Sequence, residues 1–333
     1  MEMIQRAFVS SSLNPFENLA FEDWLYRTLP VQPDGSAAEI RVLFYRNDPC
    51  VVIGRHQNPW KECALGSMLS AGIPLVRRQS GGGAVYHDAG NINWSIMVPR
   101  QHYDPDHNFT CVLTGLHGLG IPAERNERSD LLVQGRKVSG SAFKVGRDRC
   151  IHHGTLLLHA DLDDLLRYLT ARDRGLMSKG IDSVRSRVAN LQEYAPDLGN
   201  EELISSVAQG FGVDPETIVQ LQPDLQARDT LAYECFTRLQ EWDWRYGKTP
   251  DFRHSFFVGD QQMVELDVHR GRIRQVLADG LPPETGQRLQ QQLQSVRYRR
   301  QDILHLAGHS GSRMLETILK RIAQEIEIYD YQS

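Results

Sequence analysis

Four short stretches of the chain gather the groups that could do chemistry. The first, Arg77-Arg78-Gln79-Ser80-Gly81-Gly82-Gly83-Ala84-Val85-Tyr86-His87-Asp88, sets two guanidiniums beside three glycines. Glycines let a backbone approach a ligand and aim its N–H groups, while the arginines supply charge for a carboxylate or phosphate. On composition alone the stretch reads equally as a Gly-rich turn beside a solvated basic pair. It is not a Walker A loop, since no G-K-[ST] follows. Nor is it a dinucleotide fingerprint, because Tyr86 stands at the third glycine position and a strand-like pattern follows.

The second stretch, Gly135-Arg136-Lys137-Val138-Ser139-Gly140-Ser141-Ala142, would place Lys137, Ser139 and Ser141 on one face of a strand. A lysine among small hydroxyls suits phosphate or a developing oxyanion, although an isolated lysine at a hairpin is more often simply exposed. In His152-His153-Gly154-Thr155 the paired rings point to opposite faces of a strand, so at most one faces a site. No Cys, Asp or Glu stands at a spacing that would complete a zinc site with them. Lys179 to Asn190 is basic and polar, as expected of either a solvated loop or a short basic patch. Cys150 precedes the histidines, but closeness along a strand does not bring a base within reach, and it is expected to pack as a small hydrophobe.

Several elements must position these stretches. Residues 14–29 predict a helix, with Asn14 as cap, Pro15 at the first helical position, Glu17 at capping-box spacing and Phe16, Leu19, Ala20 and Trp24 on one face. From 40 to 98 the texture is β: IRVLFYR, CVVIGR, PLVRR, AVYH and NINWSIMV. Phe109, Val112, Leu113, Leu116 and Leu119 return to helical spacing, stopped by Gly120. A hairpin is expected with its turn near Gln134-Gly135, then a strand at HHGTLLLHA, a helix from Asp161 to Leu169, and helices after Asn200 and over about 224–240. WDWRYGKTPDF reads as a seam, followed by a β-meander and helices near 284–293 and 313–328. The expectation is an α+β chain, with a catalytic domain over 1–246 and a small α+β C-terminal domain over 247–333.

Composition narrows the class. The 333 residues carry a net charge of −5, which argues against a nucleic-acid partner. No apolar run is long enough to span a membrane, and the start shows neither signal nor transit character. Five scattered cysteines fit reduced thiols in a cytosol-like compartment better than a disulfide framework.

Taken together, RRQSGGGAVYHDAGN, GRKVSGSAFK, HHGTLLL and KGIDSVRSRVANL, in this order and spacing, resemble the lipoate–protein ligase A family, as do VVIGRHQNPWKEC and WDWRYGKTP. The likeness runs from about residue 10 to 250 and more loosely beyond. It implies a large domain of the biotin/lipoate protein ligase type, with mixed β-sheets flanked by helices, and a two-step reaction. Lipoate and Mg-ATP would give lipoyl-AMP, and a lysine of an apo lipoyl domain (an E2 subunit or a glycine-cleavage H protein) would then take the lipoyl group. By motif, Arg78, Ser80 and the Gly81, Gly82 and Gly83 loop would hold the acyl-adenylate end. Val85, Tyr86 and Asn91 would frame the adenine, with His87 at the edge. Lys137 would be the catalytic lysine, Ser139 and Ala142 would line the ligand, His153 would lie near the dithiolane tunnel, and Asp130 would help place Mg²⁺.

The resemblance further implies a monomer, cytoplasmic or, as a mature organellar form, in the mitochondrial matrix, with a C-terminal domain that moves. Two positions depart from the family pattern: Ser129 stands where Asn is usual, and Lys144 where many bacterial members have Arg. The competing functions are a lipoyltransferase fed with ready-made lipoyl-AMP, an octanoyltransferase needing a cysteine nucleophile for which only Cys150 is available, a biotin ligase, and a non-catalytic lipoyl-AMP binder.

Overall fold

A computed structural model describes residues 4–31, 39–169, 176–178, 186–225 and 229–326. The basic stretch 179–185 therefore lies outside the described residues. The described chain forms two compact units.

The first unit comprises residues 1–54, 76–165 and 184–240. Its main sheet runs β10 (Ser141–Val145), β11 (Arg149–Leu157), β6 (Asn91–Pro99), β2 (Glu39–Tyr45), β1 (Ile4–Ser10) and β13 (Val219–Leu221). β1 is parallel to both of its neighbours and the other pairs are antiparallel, so the sheet is mixed. Two three-stranded sheets accompany it: β4 (Leu75–Arg77), β3 (Cys50–Ile53) and β5 (Val85–His87), then β7 (Glu124–Arg125), β8 (Leu131–Val133) and β9 (Arg136–Ser139). α4 (Pro105–Gly118) and α6 (Asn200–Gly210) close the core, where Phe44, Trp94, Phe109, Val112, Leu116 and Val207 are almost fully buried.

α1 (Pro15–Arg27) starts as expected, with the Asn14 side chain accepting from the Phe16 amide at 3.0 Å. Glu17, however, does not close a capping box. Its carboxylate is taken by the Ser12 hydroxyl, and that hydroxyl in turn accepts from the Asn14 amide at 3.0 Å. The buried face of α1 is also wider than its apolar spacing suggests, since Asn18, Glu22 and Asp23 are buried beside Leu19, Ala20, Phe21 and Leu25.

The expected hairpin turn is present: Gln134 and Gly135 both adopt positive φ, 51° and 75°, as a two-residue turn of matching twist requires. The strand read through 137–141 breaks at Gly140. β9 belongs to a small sheet and β10 to the main one, so Lys137 and Ser139 do not share a strand with Ser141. α5 (Leu162–Tyr168) is opened by Asp161, whose carboxylate accepts from the amides of Asp163 and Asp164. The helix of 224–240 is described as α7 (Thr230–Gln240).

The second unit comprises residues 55–75, 166–183 and 241–333. It holds the expected meander, β14 (Phe252–Gly259), β15 (Gln262–His269) and β16 (Arg272–Asp279), joined at its edge by β12 (Leu176–Ser178). The helices are α2 (Pro59–Glu62), α3 (Leu65–Ser70), α8 (Trp242–Arg245), α9 (Pro283–Leu293), α10 (Arg300–Gly308) and α11 (Arg313–Ile326). The division therefore falls at 240/241 rather than 246/247, and two earlier segments join the C-terminal part. Trp60 explains one of them, because its ring lies 5.1–5.5 Å from those of Tyr246, Phe252 and Tyr298. Pairing of β12 with β14 explains the other. Neither association leaves a local signature in the sequence.

Candidate active site

The site is assembled around the glycine loop that joins β4 to β5. Arg78 is the post on which the loop is built. Its Nε donates to Ser80 Oγ at 3.0 Å, its Nη1 to the Val52 carbonyl at 3.2 Å, and its Nη2 to the carbonyls of Gly81 and Gly83, each at 2.7 Å. Three donor contacts thus tie the guanidinium to the loop itself, and the fourth ties it to β3. Burial lowers its pKa to about 10, partly countered by the nearby Glu22, so it remains charged at neutral pH.

Gly82 needs to be glycine on two counts. Its φ is +84°, and a Cβ would stand 2.8 Å from Arg78 Nη2 and 3.1 Å from Ala142 Cβ. The loop therefore lies against β10. A second close approach involves Gly54, where a Cβ would fall 2.2 Å from the Gly82 carbonyl oxygen.

The vicinal histidines split as expected. His152 turns into the core among Trp94, Phe109 and Phe143, with ring centroids 4.4–4.7 Å away. Burial drives its pKa down to about 3, with lesser contributions from His153 and Arg125. His153 turns to the loop. Its Nε2 is 2.7 Å from Ser80 Oγ and its Nδ1 is 2.7 Å from Glu22 Oε1. A carboxylate accepts only, so Nδ1 carries a proton toward Glu22 and Nε2 meets the serine hydroxyl. The result is a buried chain, Arg78 to Ser80 to His153 to Glu22, that links a guanidinium to a carboxylate through a hydroxyl and an imidazole.

Lys137 is carried by β9. Its Nζ is 2.6 Å from Asp130 Oδ1, and a Cβ on Gly140 would lie 2.9 Å from both Cε and Nζ. Gly140 is tied to β11 through Thr155, whose Oγ1 accepts from the Gly140 amide at 3.1 Å and whose amide donates to the Gly140 carbonyl at 3.0 Å. The described end of the basic stretch reaches the same place, because Val188 forms a parallel bridge to Lys137. Lys137 thus receives backbone support from this segment at both its groups, its amide donating to the Arg187 carbonyl and its carbonyl accepting from the Ala189 amide, at 2.7 and 2.9 Å.

Asp130 is presented by a turn built on Asn126, whose Oδ1 accepts from the amides of Arg128 and Asp130 at 2.9 Å. Ser129, within that turn, has φ +65°. Asn tolerates this conformation better than Ser, which gives a physical account of the departure at this position. Lys144, the other departure, sets its ammonium 4.0 Å from the Tyr26 ring centroid.

Beyond the loop, Tyr86 is buried with its hydroxyl 3.4 Å from Asp164 Oδ2, and Val85 is half-buried. His87 and Asn91 are buried at the end of β5 and the start of β6. Ser139 is buried, and its hydroxyl has no partner among the described residues. Cys150 is sealed in β11 between Val98 and Val145, and burial raises its pKa, which makes it a poor nucleophile. All five cysteines are buried, and none forms a disulfide among the described residues.

Sequence reasoning passed over Glu22, Asn18, Asn47, Asn126 and Gly54. The available signals were two polar residues one helical turn apart on the apolar face of α1, and a glycine closing the apolar strand CVVI.

Residues 14–212 match the family model described as the lipoyl protein ligase A/B catalytic domain, which is more than half of the chain. A lipoate-protein ligase A of Psychrobacter cryohalolentis is 39% identical over 311 residues, covering 90% of each chain. Among solved structures, P. falciparum LipL1 in complex with lipoate has a TM-score of 0.62 at 26% identity, covering 96% of this chain and 99% of that one. A bipartite lipoate protein ligase from Thermoplasma acidophilum, determined with its E2 lipoyl domain, has a TM-score of 0.60 at 27% identity, covering 73% and 96%. A lipoate-protein ligase A bound with ATP has a TM-score of 0.60 at 26% identity, covering 73% and 98%. The fold and the matched sequence define an enzyme of the ligase class. The chain belongs to the lipoate–protein ligase family.

Proposed function

We propose that this ligase activates lipoate with Mg-ATP to lipoyl-AMP, releasing diphosphate, and passes the lipoyl group to a lysine of an apo lipoyl domain, in E2 subunits or the H protein. The observation that carries the reading is the setting of Lys137, whose ammonium pairs with Asp130 and packs against Gly140, two residues before the Ala142 that faces Gly82 of the loop shaped by Arg78. Joining two anions requires positive charge and backbone donors where charge builds up during transfer. Lys137 supplies the charge, and Gly81, Gly82 and Gly83 supply a backbone that a ligand can approach closely. Because the donors of Arg78 hold the loop, its part is to shape the acyl-adenylate pocket rather than to grip the ligand with its whole fork. Ser80 and His153 line the acyl end beside Ala142 and Ser139, while Val85, Tyr86 and Asn91 frame the adenine.

Among the described residues, no three His, Cys, Asp or Glu side chains cluster to hold a metal on their own. A single carboxylate at Asp130 suits a Mg²⁺ whose other ligands are phosphate oxygens and water. Bound there, the ion supplies charge neutralisation on the phosphate oxygens. Asp130 would hold it, and the partner of Lys137 Nζ would change from Asp130 to the ligand. In the second step the acceptor amine meets an already activated carbonyl, so that positioning dominates and no acyl-enzyme is required. The protein acts as a cytoplasmic monomer on this reading, and the C-terminal unit moves as the adenylate forms. Small-angle scattering profiles that stay the same when lipoyl-AMP is added would remove that last element.

The test is intact-mass analysis of an apo lipoyl domain incubated with the protein, lipoate and Mg-ATP, beside a second reaction given synthetic lipoyl-AMP. Lipoylation in both reactions is expected. Product only with lipoyl-AMP would make the protein a lipoyltransferase, and product in neither would leave a non-catalytic binder.

A further inference from the structure

We propose that His87 presents a fixed Nε2–H donor to an acceptor atom of the bound acyl-adenylate, with Asn18 and Asn47 as the positioning residues that hold its tautomer. The inference rests on the acyl-adenylate reading above and adds to it the atom that binds and the residues that set it.

The tautomer follows from an oriented chain that begins at α1. Asn18 Nδ2 faces three oxygens: the carbonyls of Ser12 and Arg46, at 3.0 and 2.7 Å, and Asn47 Oδ1, at 2.8 Å. Backbone carbonyls accept only, so the atom facing them is the amide nitrogen of Asn18. The two N–H groups are shared among the three contacts, and because the nitrogen cannot accept, the facing atom of Asn47 is the oxygen. The other end of the Asn47 amide is then the nitrogen, and it lies 2.9 Å from His87 Nδ1. Nδ1 accepts, so the single proton of the neutral ring sits on Nε2.

That proton has no destination among the described residues. His87 is 3% exposed, and its Nε2 has no hydrogen-bond partner among the described residues. A buried donor left without an acceptor is costly, and such groups in native folds commonly mark a ligand contact. The ring also stays neutral: burial, together with the charges of Arg78 and His153, lowers its pKa to about 3. His87 is therefore a donor of fixed direction throughout the physiological range and brings no charge to the site.

The two site histidines are set in opposite senses from one helix. Glu22 takes the Nδ1–H of His153, whose Nε2 meets Ser80, while Asn18, one turn earlier, acts through Asn47 to make His87 an Nε2–H ring. The first arrangement closes within the protein. The second ends on a donor without a partner.

The test uses the full-length, ¹⁵N-labelled protein and variants Asn47→Asp and Asn47→Leu, with the His87 signals assigned by their loss in His87→Gln. Long-range ¹H–¹⁵N spectra report which ring nitrogen is protonated, and calorimetric titration with a sulfamoyl analogue of lipoyl-AMP, with AMP and with lipoate reports affinity. The wild type should show Nε2–H, with that signal moving when the analogue binds. Variants that lose the Nε2 proton should bind the analogue about 10- to 100-fold more weakly. A parallel loss with AMP places the acceptor on the nucleotide, and a parallel loss with lipoate places it on the acyl carboxyl. Affinity must follow the Nε2 proton. A wild-type His87 protonated at Nδ1, full affinity without the Nε2 proton, or lost affinity with it retained overturns the proposal. Failure of the wild type to bind the analogue at all overturns the acyl-adenylate reading instead, and the inference with it.

Discussion

Glu22 Oε1 and His153 Nδ1 lie 2.7 Å apart across 131 residues of sequence, both buried, and their contact fixes the face that His153 turns toward Ser80. Replacing Glu22 by Ala leaves a buried N–H without an acceptor and should cost about 1–3 kcal/mol of stability. Glu22→Gln keeps an amide oxygen for the same N–H and should recover most of that loss. Urea unfolding of the two variants decides the matter, since equal losses would show that only the charge matters.

Lys137→Ala should abolish lipoate-dependent diphosphate release, by about 10²–10³-fold or more, while leaving the unfolding midpoint nearly unchanged. The side chain is partly exposed and contributes no core volume, and its ion pair with Asp130 is of the modest, solvent-screened kind. Diphosphate release at the wild-type rate would remove Lys137 from the chemistry.

At Gly54, an added methyl would fall 2.2 Å from the Gly82 carbonyl oxygen, and neither backbone can yield without moving the loop. Gly54→Ala is expected to reduce ATP–diphosphate exchange strongly while the far-UV circular dichroism spectrum stays native. Undiminished exchange would mean that the loop does not need this close approach.

Ser129 occupies the left-handed region at φ +65°. Ser129→Asn, and Ser129→Gly where relief of the left-handed conformation outweighs glycine's greater loss of freedom on folding, should stabilise the protein by up to about 1 kcal/mol. Thermal denaturation gives the sign directly, and destabilisation by both variants would show that the Ser129 side chain has a role the backbone angle does not reveal.

Acid sensitivity should trace to buried neutral histidines. His87 and His152 have pKa values lowered to about 3, whereas the unfolded chain takes up these protons near pH 6.5. Their contribution is fully present above that unfolded value and is lost as the pH falls toward 3, by up to about 1.4 kcal/mol per pH unit for each group. His152→Leu should flatten this dependence, because it removes a ring both of whose nitrogens are buried without a partner among the described residues. Denaturant midpoints at pH 7 and pH 5 measure the difference, and an unchanged slope in the variant would exclude His152 as a source.

The glycine loop, the hairpin at Gln134-Gly135, the cap at Asn14 and the opposed faces of His152 and His153 were all legible in the sequence. Each depends on conformational preferences or spacings that act within a few residues, such as a positive φ, a side-chain oxygen two residues from an amide, or strand alternation. The family signature likewise lies in short motifs, and with it the expectation of an α+β ligase. Tertiary structure decided which partners those motifs meet. It brought Ala142 against Gly82, set Val188 beside Lys137, closed the contact from Glu22 to His153, and ran the chain from Asn18 through Asn47 to His87. It also gathered Trp60 with Tyr246, Phe252 and Tyr298, moving residues 55–75 into the second unit. These contacts join residues far apart in the chain, and they form because buried polar groups must find partners and aromatic rings must find neighbours, requirements that fix no spacing in the sequence.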